Sequence, residues 1–248
     1  MLISYSHGKI YPEEIVKYLG LTGRSYMIIA EIIKNKVTVE KAGDFGLVAS
    51  DEELQKYADN FRSLLNLYST NDMYRFLENS GLTVDDFEAF CETAILVGHL
   101  KNYLSGEEKI KGYFVNNRAD FDLVRISSIT VKEENLAKDL IMQVEEDGED
   151  FHVLARKYST DDTTRYTGGY IGLVSRKIFP PEITAKLFNA SEGELIGPFQ
   201  RDDEYQLLLV EEVLKAELNE NVKNEIKDII FNEWVSSFLK NGIKITEN

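Results

Sequence analysis

One cysteine, three histidines and a shortage of positive charge set the first limits on this chain of 248 residues. The lone cysteine, Cys91, excludes an internal disulfide framework and fits a reducing compartment. It stands among Phe87, Phe90, Ala94 and Ile95, the setting of a buried structural thiol rather than a nucleophile. His7, His99 and His152 lie at no ligand spacing from one another or from Cys91, so no metal motif is present. His99 falls on an apolar helical stretch and reads as a packing residue. There is no G-x-S-x-G elbow, no phosphate-binding loop and no dinucleotide fingerprint, and no cofactor is implied. No apolar run approaches the ~18 residues of a membrane helix. The opening MLISYSHGKIYPEE has neither the basic nor the apolar segment of a signal peptide, and the reading is cytoplasmic. A net charge of −15 argues against nucleic acid and against anionic membrane surfaces as partners. Solubility is the plain explanation of such acidity.

What the chain does have is enough apolar residue, 43%, to bury a core. Pro12 before Glu13-Glu14 starts a short helix to about Leu19. Residues 25–35 are apolar nearly all round and predict a buried helix, with Val37 to Phe45 as a connector. Ser50 with Glu53 three residues on is a capping box. The helix beyond it carries Leu54, Tyr57, Phe61, Leu64 and Leu65 on one stripe. Further helices begin near Asn71, after Thr83 and at Gly106 or Glu107, the first of them stopped by Gly81. Residues 1–118 thus read as a helical domain of antiparallel helices with short loops. Residues 1–11 are an irregular arm or one strand.

The pattern changes at Phe121. Phe121 to Val131 has the alternation and β-branching of a strand. A charged amphipathic helix follows to residue 146 and stops at Gly148. Pro180-Pro181 starts a short helix to Phe188, and Gly197-Pro198-Phe199 and Tyr205 to Val213 are two more strands. Residues 119–214 read β-α-α-β-α-β-β, so the fold class is α+β. Residues 215–248 return to helix, with Val222, Ile226, Ile229, Ile230, Trp234 and Phe238 on one stripe that needs a cover. The helical N-terminal region is the expected cover. Ile243-Lys244-Ile245 suits an edge strand.

Inside the α+β unit lies Phe151 to Gly172, FHVLARKYSTDDTTRYTGGYIG. A short amphipathic helix runs into a polar loop that ends in Gly168-Gly169. A polar loop held at both ends suits a binding site, whereas glycines in a tight turn need only supply φ > 0. Asp161-Asp162 suits a coupled acid pair, but neighbours in an extended loop point opposite ways, and Asx-turn bonds are their commoner use.

The order of these pieces resembles a parvulin-type (PpiC-like) peptidyl-prolyl isomerase, or rotamase, domain. The likeness rests on F-x-x-L-A-x-x-Y-S at Phe151 to Ser159, G-G-x-I-G at Gly168 to Gly172, A-x-L-F at Ala185 to Phe188 and G-E-L-I-G-P-F at Gly193 to Phe199. Phe231 to Ile245 and the Gly81-Leu82-Thr83 to Phe87 step resemble the chaperone domain of SurA/PrsA-like proteins. The resemblance implies a proline site. Its loop acid is Asp161, the only catalytic candidate. Ser128 and Gln206 stand where the family carries histidines. Phe179 and Ile183 fall on or near the proline-pocket floor, and Phe188 joins them as a substrate-binding candidate. Lys132-Glu133-Glu134 follows the first strand, so phosphoserine-proline specificity is not expected.

The function implied is a peptide-binding chaperone or foldase with a degenerate isomerase site. Its partner is an extended polypeptide or precursor peptide, met by exposed aromatics such as the thirteen tyrosines. An active prolyl isomerase is one alternative. Another is an accessory protein that helps mature a ribosomal peptide or a metalloenzyme. Homodimerisation stays open.

Overall fold

The computed structural model describes residues 3–6 and 8–239. His7 and Ile243-Lys244-Ile245 lie outside them. In chain order the elements open with a two-stranded antiparallel hairpin, β1 (Ile3–Tyr5) and β2 (Gly8–Ile10), where the sequence suggested an arm or one strand. Six helices follow: α1 (Pro12–Leu21), α2 (Ser25–Asp44), α3 (Asp51–Leu64), α4 (Thr70–Ser80), α5 (Val84–Leu104) and α6 (Glu107–Asn117). Then come β3 (Leu123–Val131), α7 (Glu134–Glu145), α8 (Phe151–Tyr158), β4 (Tyr170–Ser175), α9 (Pro181–Asn189), β5 (Leu195–Arg201), β6 (Glu204–Leu214) and α10 (Glu220–Leu239). The chain divides into two compact units, residues 1–110 with 223–248, and residues 111–222. The sequence reading draws these borders at 118/119 and 214/215. Among the described residues, no helix is long and apolar enough to cross a membrane.

Polar caps start α3, α4 and α5 of the first unit. Ser50 with Glu53, Ser69 with Asp72 and Thr83 with Asp86 each form a reciprocal capping box, which satisfies backbone donors that a helix start leaves unpaired. Gly81 ends α4 in the left-handed region, φ 67°. The stripe of α10 meets α5: Leu100, Phe231 and Val235 form a buried cluster, with Leu47, Val97, Leu104 and Trp234 packed around it. Phe61 of α3 sits among Phe76, Phe87 and Phe90. Cys91 is buried, which pushes its thiol pKa up, as expected of a structural thiol. His99 is tied by Nε2 to Glu53 at 2.7 Å.

Two expectations fail here. The apolar run at 25–35 is not a buried helix followed by a connector. It is the first half of the 20-residue α2, which continues to Asp44. Only Thr38 and Ala42 of α2 are buried, and Tyr26, Met27, Ile28 and Ile32 face solvent. The packing of α2 is on α5 and α1, which reach only part of its surface. The α3 stripe also stops short: Leu64 is 82% exposed, and Leu65 lies beyond the helix and is exposed too.

The second unit is a four-stranded antiparallel sheet in the order β4-β3-β6-β5. Alternation along β3 and β6 splits its side chains between two faces. Ile129, Val131, Leu207 and Leu209 pack with Ala137 and Leu140 of α7 and with Phe151, Leu154 and Ala155 of α8. Val124, Ile126, Leu208 and Val210 pack with Val174, Ile196, and Leu187 and Phe188 of α9. Buried Asp122 joins the start of β3 to the end of β6 by accepting from the Ala216 amide at 2.9 Å.

Two stability predictions follow from the helical unit. Thr38 is fully buried and its hydroxyl has no hydrogen-bond partner among the described residues. Thr38→Val removes that unmet group at nearly constant volume and should raise unfolding stability by about 1 kcal/mol in a urea titration. The Glu53 carboxylate is held at about 2, against an ordinary 4.5, by the Ser50 amide first and then by His99 and the Ser50 hydroxyl. A carboxyl lowered in the fold stabilises it above its unfolded value and stops doing so as pH falls through the folded one. Helical content should therefore weaken between about pH 4.5 and 2. Glu53→Gln should flatten that stretch of an acid titration followed by far-UV circular dichroism.

Candidate functional site

The site is built on the α9 face of the sheet. Ser128 lies two residues after Ile126 and Gln206 two before Leu208, so alternation puts both on that face. Opposite strand partners are Thr130 with Gln206 and Ser128 with Leu208, which makes Ser128 and Gln206 diagonal neighbours. The Gln206 side-chain amide donates to the Ser128 hydroxyl, Nε2 to Oγ, at 2.9 Å. Ser128 is 2% exposed, so this bond meets the need of a buried hydroxyl.

Phe179 and Ile183 pack half-buried against the apolar cluster of the same face, and Phe199 joins them from β5. Phe199 is the strand partner of Gln206. The sequence reading did not single it out, although its place across the hairpin from Gln206 was the available signal. Phe188 is 4% exposed and belongs to the core cluster of the same face, with the Arg176 guanidinium 4.1 Å from its ring centroid.

Asp161 enters from the loop after α8. That loop is stitched to the end of β3: Thr160 N donates to the Thr130 carbonyl at 2.7 Å, and Thr130 N donates to Ser159 Oγ at 3.2 Å. The result is a polar pocket of about 310 Å³, lined by Thr130, Asp161, Arg201, Asp202, Glu204 and Gln206. Asp161 therefore meets Gln206 across a cavity. Its oxygens are taken locally. Oδ1 accepts from Thr163 N at 3.0 Å and from Thr163 Oγ1 at 2.6 Å, and Oδ2 accepts from Thr164 Oγ1 at 2.8 Å. This is the Asx-turn use of an aspartate. The bonds from Thr163 first, then those from Thr164 and the charge of Arg201, hold its carboxyl below its ordinary 3.8 against the opposing effect of burial. An acid so held is ionised at neutral pH and cannot donate a proton. Arg201 and Glu204 had no distinct sequence signal beyond a polar turn. A larger hollow of about 560 Å³ between α9 and β5 contains none of these residues.

The double glycine is held by close contact. Gly168 and Gly169 have φ of 76° and 83°. The Gly169 carbonyl accepts from Ser128 N at 2.8 Å, and a Cβ on Gly169 would lie 2.3 Å from the Ser128 carbonyl oxygen. On the far side, His152 Nδ1 lies 2.9 Å from the Gly168 carbonyl, the geometry of a hydrogen bond given by the ring. His152 Nε2 lies 3.5 Å from Glu211 Oε1, which also accepts from Ser127 Oγ at 2.6 Å. Glu211 reaches there because it is the extra residue of a bulge: β3–β6 partners run Arg125 with Glu212, then Ile126 with Val210. Ser127 and Glu211 are positioning residues that pattern reading missed, because a one-residue bulge leaves no periodic trace. Among the described residues, no cluster of three or more histidine, cysteine or carboxylate side chains could hold a metal.

A four-stranded antiparallel sheet with this helix order, and a glycine-pinned loop beside its α9 face, agrees with a parvulin-type domain. Residues 127–212 match the family model described as Rotamase: PPIC-type PPIASE domain. That match makes this stretch a parvulin-type domain, and the fold of the chain, an α+β domain with a helical domain, is like that of PrsA structures. It is 24% identical over 213 residues to a foldase protein PrsA from Caldanaerobacter subterraneus, covering 86% of this chain and 65% of that protein. A foldase protein PrsA from Halalkalibacterium halodurans is 26% identical, with 83% and 62% covered. The chain thus spans a little under two thirds of the length of these relatives. A crystal structure of peptidylprolyl isomerase (PrsA) from Bacillus anthracis superposes with a TM-score of 0.52 at 21% identity, over 89% of this chain and all of that one. The Bacillus cereus counterpart gives 0.51 at 20% identity, over 99% and 93%.

Gly169→Ala should remove the bond to Ser128 and strain the turn, costing at least about 2 kcal/mol. Urea unfolding followed by the near-ultraviolet signal is the readout. A cost near zero would mean that the turn does not depend on this contact.

Proposed function

We propose that the chain is a foldase that binds extended polypeptide and retains a parvulin site whose isomerase chemistry is much reduced. The observation that carries this is the bond from Gln206 to Ser128, a neutral pair at the positions where the family resemblance puts histidines. Prolyl isomerisation breaks no covalent bond, and its barrier of ~20 kcal/mol comes mainly from amide resonance. A catalyst has to hold the twisted amide better than the planar one. Here the hydroxyl of Ser128 is already engaged, and the oxygens of Asp161 are taken by Thr163 and Thr164. What remains is a half-buried apolar wall of Phe179, Ile183 and Phe199 beside a polar pocket, a surface suited to gripping a proline-containing segment.

Client binding draws further support from the helical unit. Val16, Tyr18, Leu21, Tyr26, Met27 and Ile32 are exposed on α1 and α2. Exposed apolar surface on this scale suits contact with unfolded chain. The foldase names of the relatives agree with such a role. The second reading, a working isomerase, is favoured by the intact apolar wall alone.

An NMR exchange assay on an Ala-Pro peptide should show weak or no turnover. Any turnover should be flat from pH 5.5 to 8, roughly the span over which neither Ser, Gln nor an aspartate held low titrates. Aggregation of a denatured client should still be suppressed. Robust turnover that disappears in Asp161→Ala would overturn the reduced-site reading.

A further inference from the structure

The sheet of the second unit has an outer strand that the proline site does not use. β4 pairs with β3 on one side and with no strand on the other among the described residues. Its Val174 faces the core of the α9 side, but Tyr170, Ile171 and Leu173 are 48%, 39% and 48% exposed. Tyr166 just before the strand and Ile178 just after it are more exposed still. The helices of the opposite face, α7 and α8, lie over β3, β5 and β6. The outcome is a free strand edge with apolar side chains along it, the arrangement that accepts another extended chain.

Charge decides what can lie there. The protein carries −15 overall, yet from Phe151 to Ile178 five basic residues face two acidic ones. Four of the five gather at the two ends of β4. Arg156 touches the Gly168 turn and Arg165 sits just before it, while Arg176 and Lys177 follow Ser175. Arg165 is 4.0 Å from Asp162, and Arg176 is 3.7 Å from Asp122, which Lys215 also approaches. A second copy of this strand would bring basic end against basic end, in either direction of pairing. Like charges facing across a strand pair are unfavourable, so self-pairing is opposed.

We propose that the outer edge of β4 takes an extended client segment as an added strand, one with alternating apolar residues and acidic residues at both ends. This rests on the reading of the chain as a client-binding foldase, but it concerns a different surface from the proline site. Backbone hydrogen bonds along the edge hold the segment. Ile171 and Leu173 take its apolar side chains, and the basic ends of β4 set its flanks.

The test is fluorescence anisotropy of the full chain with two labelled proline-free peptides, DDVTITVDD and KKVTITVKK. The acidic peptide should bind at least tenfold more tightly and should slow hydrogen exchange of amides in 170–175. Leu173→Asp, at an exposed position, should weaken the acidic peptide at least tenfold without changing the circular dichroism. Arg165→Glu with Lys177→Glu should reverse the preference between the peptides. Equal binding of the two peptides, or binding indifferent to Leu173→Asp, would overturn the proposal. So would a dimer in sedimentation that Leu173→Asp dissociates, since a second copy would then hold the edge. Client aggregation assayed in parallel separates the two readings. Suppression without acidic-peptide binding removes the β4 site and keeps the foldase, and loss of both removes the foldase as well.

Discussion

The backbone of Gly169 lies against the backbone of Ser128 with no room for a side chain between them. A Cβ there would sit 2.3 Å from a carbonyl oxygen, so this approach admits glycine alone. Much of the site depends on it. The contact fixes where the Ser159–Thr167 loop rejoins the sheet, and it holds Ser128 at the depth where Gln206 can reach it. His152 grips the adjoining carbonyl from α8, and the bulged Glu211 brings β6 toward the same ring. The polar loop is therefore held from both sides, which keeps Asp161 at the pocket wall although its own bonds are all local.

That frame holds the shape of the site apart from the polar pair inside it. A buried Ser128 needs a partner, and Gln206 is long enough to supply one from a diagonal position on the next strand. The pair satisfies a polar demand in the interior without any charge. Imidazoles in its place would give a network that changes charge near neutral pH, whereas hydroxyl and carboxamide do not. The apolar cluster of the α9 face has its own contacts, because Phe188, Leu187, Leu208 and Val210 pack on one another beside the pair. Shape and chemistry have separate supports here.

Local signals were the legible ones. The Ser50 and Thr83 caps, the Gly81 stop, the proline start of α9 and the β-α-α-β-α-β-β order could all be read from neighbouring residues. The cap at Ser69 was missed and its helix start placed near Asn71, although Asp72 closes its box just as Asp86 closes the one at Thr83. Ser128 and Gln206 share the face against which Phe179 and Ile183 pack, and all four positions came from the family resemblance, with alternation along β3 and β6 consistent with the first two. Non-local facts were not legible. The reach of Glu211 comes from one extra residue in a strand, which shifts register without altering composition. The exposure of α2 depends on how little of it α1 and α5 cover, and an all-round apolar helix has no face that says so. The burial of Phe188 likewise follows from its packing against Val124, Ile126, Leu208 and Val210 of the sheet.

The acidity of the chain is best understood together with that exposed surface. Apolar side chains left open on α1, α2 and β4 would favour association between copies. A net charge of −15 opposes such association at a distance set by the screening length, while contact over a few ångströms stays available to a partner. The two properties are compatible only if the apolar surface is local and the charge is spread. β4 shows this division at small scale: its edge is apolar, its ends are basic, and the acidic residues lie mostly elsewhere in the chain. A surface arranged in this way discourages its own copies and remains open to an extended chain of complementary charge.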